Sequence, residues 1–216
     1  MALAWQSPVY LRRERLLSLL PTAVGFAVCL EAPAGFGKSV LAGQLAESLP
    51  FRALWGSALL DEPKALLARA LGLPRKAPWG VVLEALGEAP SLVVLEDLKG
   101  DEAIPPLLRT LPCLLVLASR RPLPYPELPK LLAEGRLVRL GAKELAFTPE
   151  EARALFGGRG DYLEAHRATG GWPLPLFLAA LTGRPPEPEA LLRGLRESLT
   201  PEEFQEGLLL AALPHL

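Results

Sequence analysis

Apolar residues along this chain fall into two spacings. Short continuous runs at residues 24–30, 91–96 and 113–118 and the shorter stretches 51–56 and 137–140 read as strands. Between them, residues 12–20, 39–48, 65–71, 79–86, 104–111 and 131–134 carry apolar positions at helical spacing. Apolar strands that alternate with helices predict a parallel sheet covered on both faces, because a strand buried on both sides has no polar face to show. On this pattern the strand at 91–96 ends at the acidic pair Glu96-Asp97.

After residue 140 only helical patterns remain. Thr148-Pro149-Glu150-Glu151 combines a capping hydroxyl, a proline in the first turn and a glutamate three residues after the cap, a strong helix start. Thr200-Pro201-Glu202-Glu203 repeats it. Residues 183–188, rich in Pro and Gly, read as an internal linker. The expected organisation is a core over residues 1–145, a helical lid over 146–200 and the start of a further helical or winged-helix domain over 201–216. The apolar stretch 204–216 asks for a partner, either this domain or a further one, and we favour a chain that is a piece of a larger protein.

The chain has 216 residues, half of them hydrophobic, which suffices for one large domain or a domain with an appendage. The formal net charge is −1, without the basic excess of a DNA-binding domain, so direct DNA contact by this chain is not expected. Cys29 and Cys113 lie in apolar runs and read as buried thiols. No unbroken apolar run reaches the roughly 18 residues of a membrane span, so no membrane partner and a cytoplasmic location are expected.

Candidate chemistry begins at Glu31-Ala-Pro-Ala-Gly-Phe-Gly-Lys-Ser39. It has the form of the phosphate-binding loop G-x-x-x-x-G-K-[ST], with Ala32 in place of the first glycine, and it joins a strand to a helix as that motif requires. Gly35 and Gly37 allow consecutive amides to turn inward around an anion, helped by the positive end of the following helix. Pro33, Ala34, Gly35, Phe36, Gly37, Lys38, Ser39 and Val40 would surround the nucleotide, with Lys38 reaching the β- and γ-phosphates and Ser39 ligating Mg²⁺. The methyl of Ala32 is tolerable if its φ is negative. At the tip of a second strand, Glu96 is assigned to the metal and Asp97 to the attacking water, although the order Glu-Asp leaves that split open. Arg120, after a third strand, has the geometry to sense a γ-phosphate; a solvated basic tip is the plainer alternative.

These pieces, in this order, resemble the STAND class of P-loop ATPases, of AAA+/NACHT-like type, and within it the MalT-like LuxR-family transcriptional regulators. The residues that carry the likeness are 13–17, Ala32 to Ser39, Leu92 to Asp97, residues 117–120 with the proline-rich tail, 145–151, and Thr169-Gly-Gly-Trp-Pro173. The resemblance implies a P-loop NTPase three-layer sandwich, a five-stranded parallel sheet in the order 5-1-4-3-2 and a C-terminal helical lid. It implies that Arg13 and the pair Trp172 and Pro173 flank the adenine. Read from the residues alone, Trp172-Pro173 is a rigid helix entry. It further implies a regulatory switch that binds ATP or ADP with Mg²⁺, hydrolyses ATP slowly, self-associates with ATP bound and works with downstream sensor and effector domains. Two departures stand out: residues 57–62 look shortened, and Leu98-Lys99 follow the acidic pair where the family tends to have an aromatic residue and a histidine. A small-molecule kinase or metabolic NTPase is the alternative, and a scaffold without nucleotide is a third reading that intact Lys38, Ser39, Glu96 and Asp97 oppose.

Overall fold

The computed structural model describes residues 11–182. The chain divides into two units, Met1–Leu145 and Ala146–Leu216. In the first, five strands alternate with helices: α1 (Glu14–Leu17), β1 (Ala27–Glu31), α2 (Lys38–Ser48), β2 (Arg52–Ser57), α3 (Pro63–Ala70), α4 (Trp79–Gly87), β3 (Ser91–Leu98), α5 (Pro105–Thr110), β4 (Leu114–Ser119), α6 (Leu128–Ala133), β5 (Leu137–Gly141) and α7 (Ala142–Leu145). The strands form one sheet in the order β2-β3-β4-β1-β5, and every neighbouring pair is parallel. Read from the other edge, this is the expected order 5-1-4-3-2.

Alternation along the central strands splits the core in two. Ala27, Cys29, Val93, Leu95, Leu115 and Leu117 meet α3 to α6 on one face. Val28, Leu30, Leu92, Val94, Leu114 and Val116 meet α1 and α2 on the other. Both faces are covered, which is consistent with a P-loop-like α/β sandwich. Both cysteines lie in the first of these clusters, and burial pushes each thiol up to about 12. Cys29 lies opposite Leu117, whereas Cys113 directly precedes β4, four residues before Leu117, too far for a bridge.

Several boundaries differ from the sequence pattern, each for a local reason. The helix expected over 12–20 shortens to Glu14–Leu17, and tight turns take the chain on to Leu20. The first strand starts at Ala27 because Gly25 turns at φ +86° and donates its amide to the Cys113 carbonyl. The strand expected to stop at Glu96-Asp97 runs on to Leu98 through a bulge.

The second unit contains α8 (Pro149–Phe156), α9 (Tyr162–Thr169) and α10 (Pro173–Thr182). The start expected at Thr148 is present as a reciprocal cap: the Glu151 amide donates to Thr148 Oγ1 at 3.2 Å, and the Thr148 amide to Glu151 Oε2 at 2.9 Å. The second such start at Thr200, the linker at 183–188 and the apolar stretch 204–216 lie outside the described residues. No helix among the described residues is long and apolar enough to cross a membrane.

Gly170 and Gly171 end α9 at φ +59° and +81°. A Cβ on Gly171 would lie 2.5 Å from the Phe147 carbonyl oxygen, which also accepts the His166 Nε2–H at 2.8 Å; a Cβ on Gly170 would meet nothing within 4 Å. Gly170→Ala should therefore cost about 1 kcal/mol, the ordinary left-handed strain. Gly171→Ala should cost clearly more, about 2–3 kcal/mol, because backbone must also move. Urea unfolding of the two variants checks the ranking.

Candidate functional site

The loop between β1 and α2 lies at the carboxyl end of the sheet, where ligands bind in open α/β folds. Ala32 is buried at 1% exposure, packs in the core with Val28, Leu30 and Leu41, and donates its amide to the Ser119 carbonyl at 3.2 Å. It continues the β1–β4 ladder beyond Glu31. Only Asp97 and Leu111 among described non-glycine residues have positive φ, so the Ala32 methyl is unstrained and fills core volume. Gly35 and Gly37 take φ +79° and +76°, the left-handed turns needed for inward-facing amides, and Gly37 is the N-cap of α2. Pro33, Ala34 and Phe36 complete the loop, with Phe36 packed against the core; Val40 lies in the first turn of α2.

Lys38 folds back over this loop. Its Nζ donates to the Ala32 carbonyl at 2.6 Å and the Pro33 carbonyl at 2.9 Å. Burial, and after it the nearby Arg120 guanidinium, lower the ammonium to about 8 against the pull of Asp97 and Glu96. Three other charged groups singled out in the sequence, Arg120, Asp97 and Glu96, therefore lie close enough to act on Lys38.

The two carboxylates reach the site by an irregularity in β3. In a regular strand, Glu96 and Asp97 would point to opposite faces. Leu95 pairs with Leu117 and Leu98 with Ser119, so β3 spends one residue more than β4 over that interval. Asp97 takes φ +57°, and Leu98 then recovers the face of Val93 and Leu95. Glu96 accepts hydrogen bonds from Ser39 Oγ on Oε1 and from Trp55 Nε1 on Oε2. Asp97 Oδ2 accepts from Ser57 Oγ at 2.6 Å. Trp55 and Ser57 are two apart on β2 and share a face, so the bulge turns both adjacent carboxylates the same way.

Trp55 and Ser57 are site residues that the sequence reading missed. Part of their signal was present, since Trp55 stands near the carboxyl end of the strand expected over 51–56 and Ser57 directly follows it, but their partners depend on a register that one sequence does not reveal. Arg120 follows β4 directly and is half-buried. Arg13, expected beside adenine, is 4% exposed; both terminal nitrogens of its guanidinium donate to the Leu145 carbonyl at 3.1 Å, and its amide donates to Gln44 Oε1 at 2.9 Å. In the second unit, Trp172 is half-buried with its amide on the Thr169 carbonyl, and buried Pro173 opens α10.

Two outcomes follow from this geometry. Asp97→Gly and Asp97→Ala both delete the carboxylate, but only glycine relieves the left-handed backbone, so the glycine variant should be more stable by about 1 kcal/mol in urea unfolding. Lys38 has its folded value lowered from 10.5 to about 8, so folding disfavours its charge. Its contribution to stability is therefore poorest below pH 8 and improves as pH rises from 8 towards 10.5. The stability of Lys38→Met relative to the natural chain should fall over that window by roughly 2–3 kcal/mol, read from unfolding at pH 7 and pH 10.

No protein-family model matches the chain, and no curated protein matches it. Among solved structures it is similar to a chain of the Drosophila ORC bound to DNA, with 14% identity and a TM-score of 0.49 over 93% of this chain. The chain spans 61% of the length of that neighbour. The functional reading rests on the site itself.

Proposed function

We propose that this chain is an ATP-binding regulatory switch that hydrolyses ATP slowly, the nucleotide-binding module of a signal-transduction or transcription regulator of the STAND, MalT-like type. The observation that carries the reading is the convergence of Lys38, Ser39, Glu96, Asp97 and Arg120 around one glycine-shaped cradle. Such a set matches the needs of phosphoryl transfer: amides and a lysine for the phosphates, a hydroxyl and a carboxylate for a cation, a second carboxylate for water and an arginine for developing charge.

The donor set fits Mg²⁺. No group of three or more His, Cys, Asp or Glu side chains suited to a metal occurs among the described residues. Mg²⁺ does not require one, since it takes one or two protein oxygens and completes its shell with phosphates and water. Ser39 and Glu96 would hold it, and when bound it would neutralise charge on the phosphate oxygens. Trp55 fixes one oxygen of Glu96 and leaves the other facing Ser39. Asp97, held by Ser57, would orient or deprotonate the attacking water. Residues 146–200 serve as the helical lid in this proposal, with Trp172 and Pro173 beside the adenine. Self-association with ATP bound, a cytoplasmic setting and action through downstream sensor and effector domains complete it.

The test is direct. Titration calorimetry with Mg-ATP and Mg-ADP should show binding by the natural chain and a loss of at least about tenfold in Lys38→Ala, the size of a charge-assisted contact. Unchanged affinity in that variant would remove the site assignment. Asp97→Asn should keep binding and slow phosphate release by about 10²-fold or more, the usual contribution of a general base.

A further inference from the structure

Two carboxylates next to the cradle have no task in nucleotide binding, yet both hold the loop that carries Arg120. That loop runs from the end of β4 to α6. On one side Glu31, the last residue of β1, accepts the Leu123 amide at 2.8 Å. Glu31 is itself gripped by Arg139 of β5, with contacts of 2.7 to 3.0 Å to both oxygens, and its side chain is 8% exposed. On the other side the Tyr125 hydroxyl donates to Glu102 Oε2 at 2.5 Å. The same carboxylate accepts the amides of Lys99 at 2.7 Å and Gly100 at 2.9 Å. Gly100 lies at φ +99°, and a Cβ there would sit 2.4 Å from Pro124 Cδ, so the two loops close only over a glycine. Ser119 Oγ adds a bond to the Arg121 carbonyl, and Leu123 and Tyr125 are buried at 5% exposure.

Glu102 thus joins the two segments that carry the charged chemistry. One leaves β3 just after Glu96 and Asp97, and the other leaves β4 with Arg120. Burial pushes the Glu102 carboxyl up, but the Lys99 amide, the Tyr125 hydroxyl and the Gly100 amide together hold it below its usual value. Burial first, and Glu102 second, raise the Tyr125 phenol. At neutral pH the contact is a hydroxyl donating to an ionised carboxylate, a strong class of hydrogen bond.

We infer that Tyr125 and Glu102 form a positioning clasp, with the Glu31–Leu123 tether as its counterpart, that holds Arg120 at the phosphate end of the cradle and so sets the preference for a nucleoside triphosphate over the diphosphate. This rests on the nucleotide reading above. A clasp of this kind matters because an arginine on an exposed loop would lose much of its contact energy to ordering, whereas a fastened one is already in place.

The experiment uses the full chain, with Mg-ATP and Mg-ADP affinities measured by calorimetry for the natural protein, Tyr125→Phe, Arg120→Gln and the double variant. Tyr125→Phe removes one oxygen and leaves the ring in the core. Arg120→Gln should reduce the ATP-to-ADP affinity ratio by about tenfold, the size of one hydrogen bond to a charged group. Tyr125→Phe should reduce it several-fold in the same direction, and the double variant should be no worse than Arg120→Gln alone. Glu102→Gln, which keeps the side-chain volume but removes its charge, should follow Tyr125→Phe. In the nucleotide-free protein, amide hydrogen exchange of Tyr125→Phe should speed up in residues 97–104 and 120–127 together and remain unchanged in β1 and α2. A Tyr125→Phe protein of lowered stability whose ratio is unchanged, while Arg120→Gln alters it, overturns the clasp; so do effects that add in full. Absence of nucleotide binding in the unaltered chain overturns the nucleotide reading and the role of Arg120 with it, an outcome distinguished by appearing before any substitution is made.

Discussion

A β-strand sends consecutive side chains to opposite faces, and the arrangement of this site depends on one interruption of that rule. Up to Leu95, β3 obeys it, feeding Leu92 and Val94 to one core and Val93 and Leu95 to the other. Had it continued, Asp97 would have entered the apolar layer that holds Leu98, where an ionised carboxylate is expensive. The extra residue at the bulge turns Asp97 back beside Glu96 and returns Leu98 to the core. The left-handed backbone costs about 1–2 kcal/mol, and aspartate is among the residues that bear it best. Ser57 and Trp55 then hold the two carboxylates from the neighbouring strand.

Much of the fold is legible in the sequence because its signals are local. The strand runs, the glycine loop and the cap at Thr148 each depend on neighbours within a few residues, and all appear within a few residues of their expected positions. The parallel order, which the family resemblance implied, agrees with the observed sheet. The bulge was not legible, since nothing in Leu95-Glu96-Asp97-Leu98 says that β3 spends an extra residue against β4. Arg13 shows the same limit from another side. Its sequence context does not reveal that its guanidinium meets the Leu145 carbonyl, a contact between residues far apart in the chain. Ala32 was legible only in part: its tolerated methyl could be anticipated, but not that it occupies core volume between β1 and α2.

The acidic residues around the sheet end divide by what their oxygens accept. Glu96 and Asp97 accept from side chains at the mouth of the site, from Ser39, Trp55 and Ser57. Glu31 and Glu102 accept backbone amides as well as the side chains of Arg139 and Tyr125, and so are committed to holding chain segments in place. Backbone amides buried in irregular loops must find acceptors, and an ionised carboxylate can satisfy two at once. The loops at this end of the sheet can therefore be both irregular and ordered, which is what a binding site made of loop residues needs.

Lys38 gives the site its energetic direction. Burial disfavours its charge, and in the structure its ammonium is met by the carbonyls of Ala32 and Pro33, partial dipoles in place of a full counter-charge. An anion entering the cradle would offer that ammonium a stronger partner and would raise its proton affinity. Glu96 and Asp97 already pull in that direction, while Arg120 pushes against it. A phosphate in the cradle would change the sign of this balance, because lysine and arginine, which repel one another, would both be attracted to the same group. On the nucleotide reading, the cost of holding two cations near each other is thus relieved in proportion to the negative charge that enters, and a triphosphate relieves more of it than a diphosphate. A preference between the two nucleotides then follows from the electrostatics of Lys38 and Arg120, provided that the loop bearing Arg120 cannot swing away.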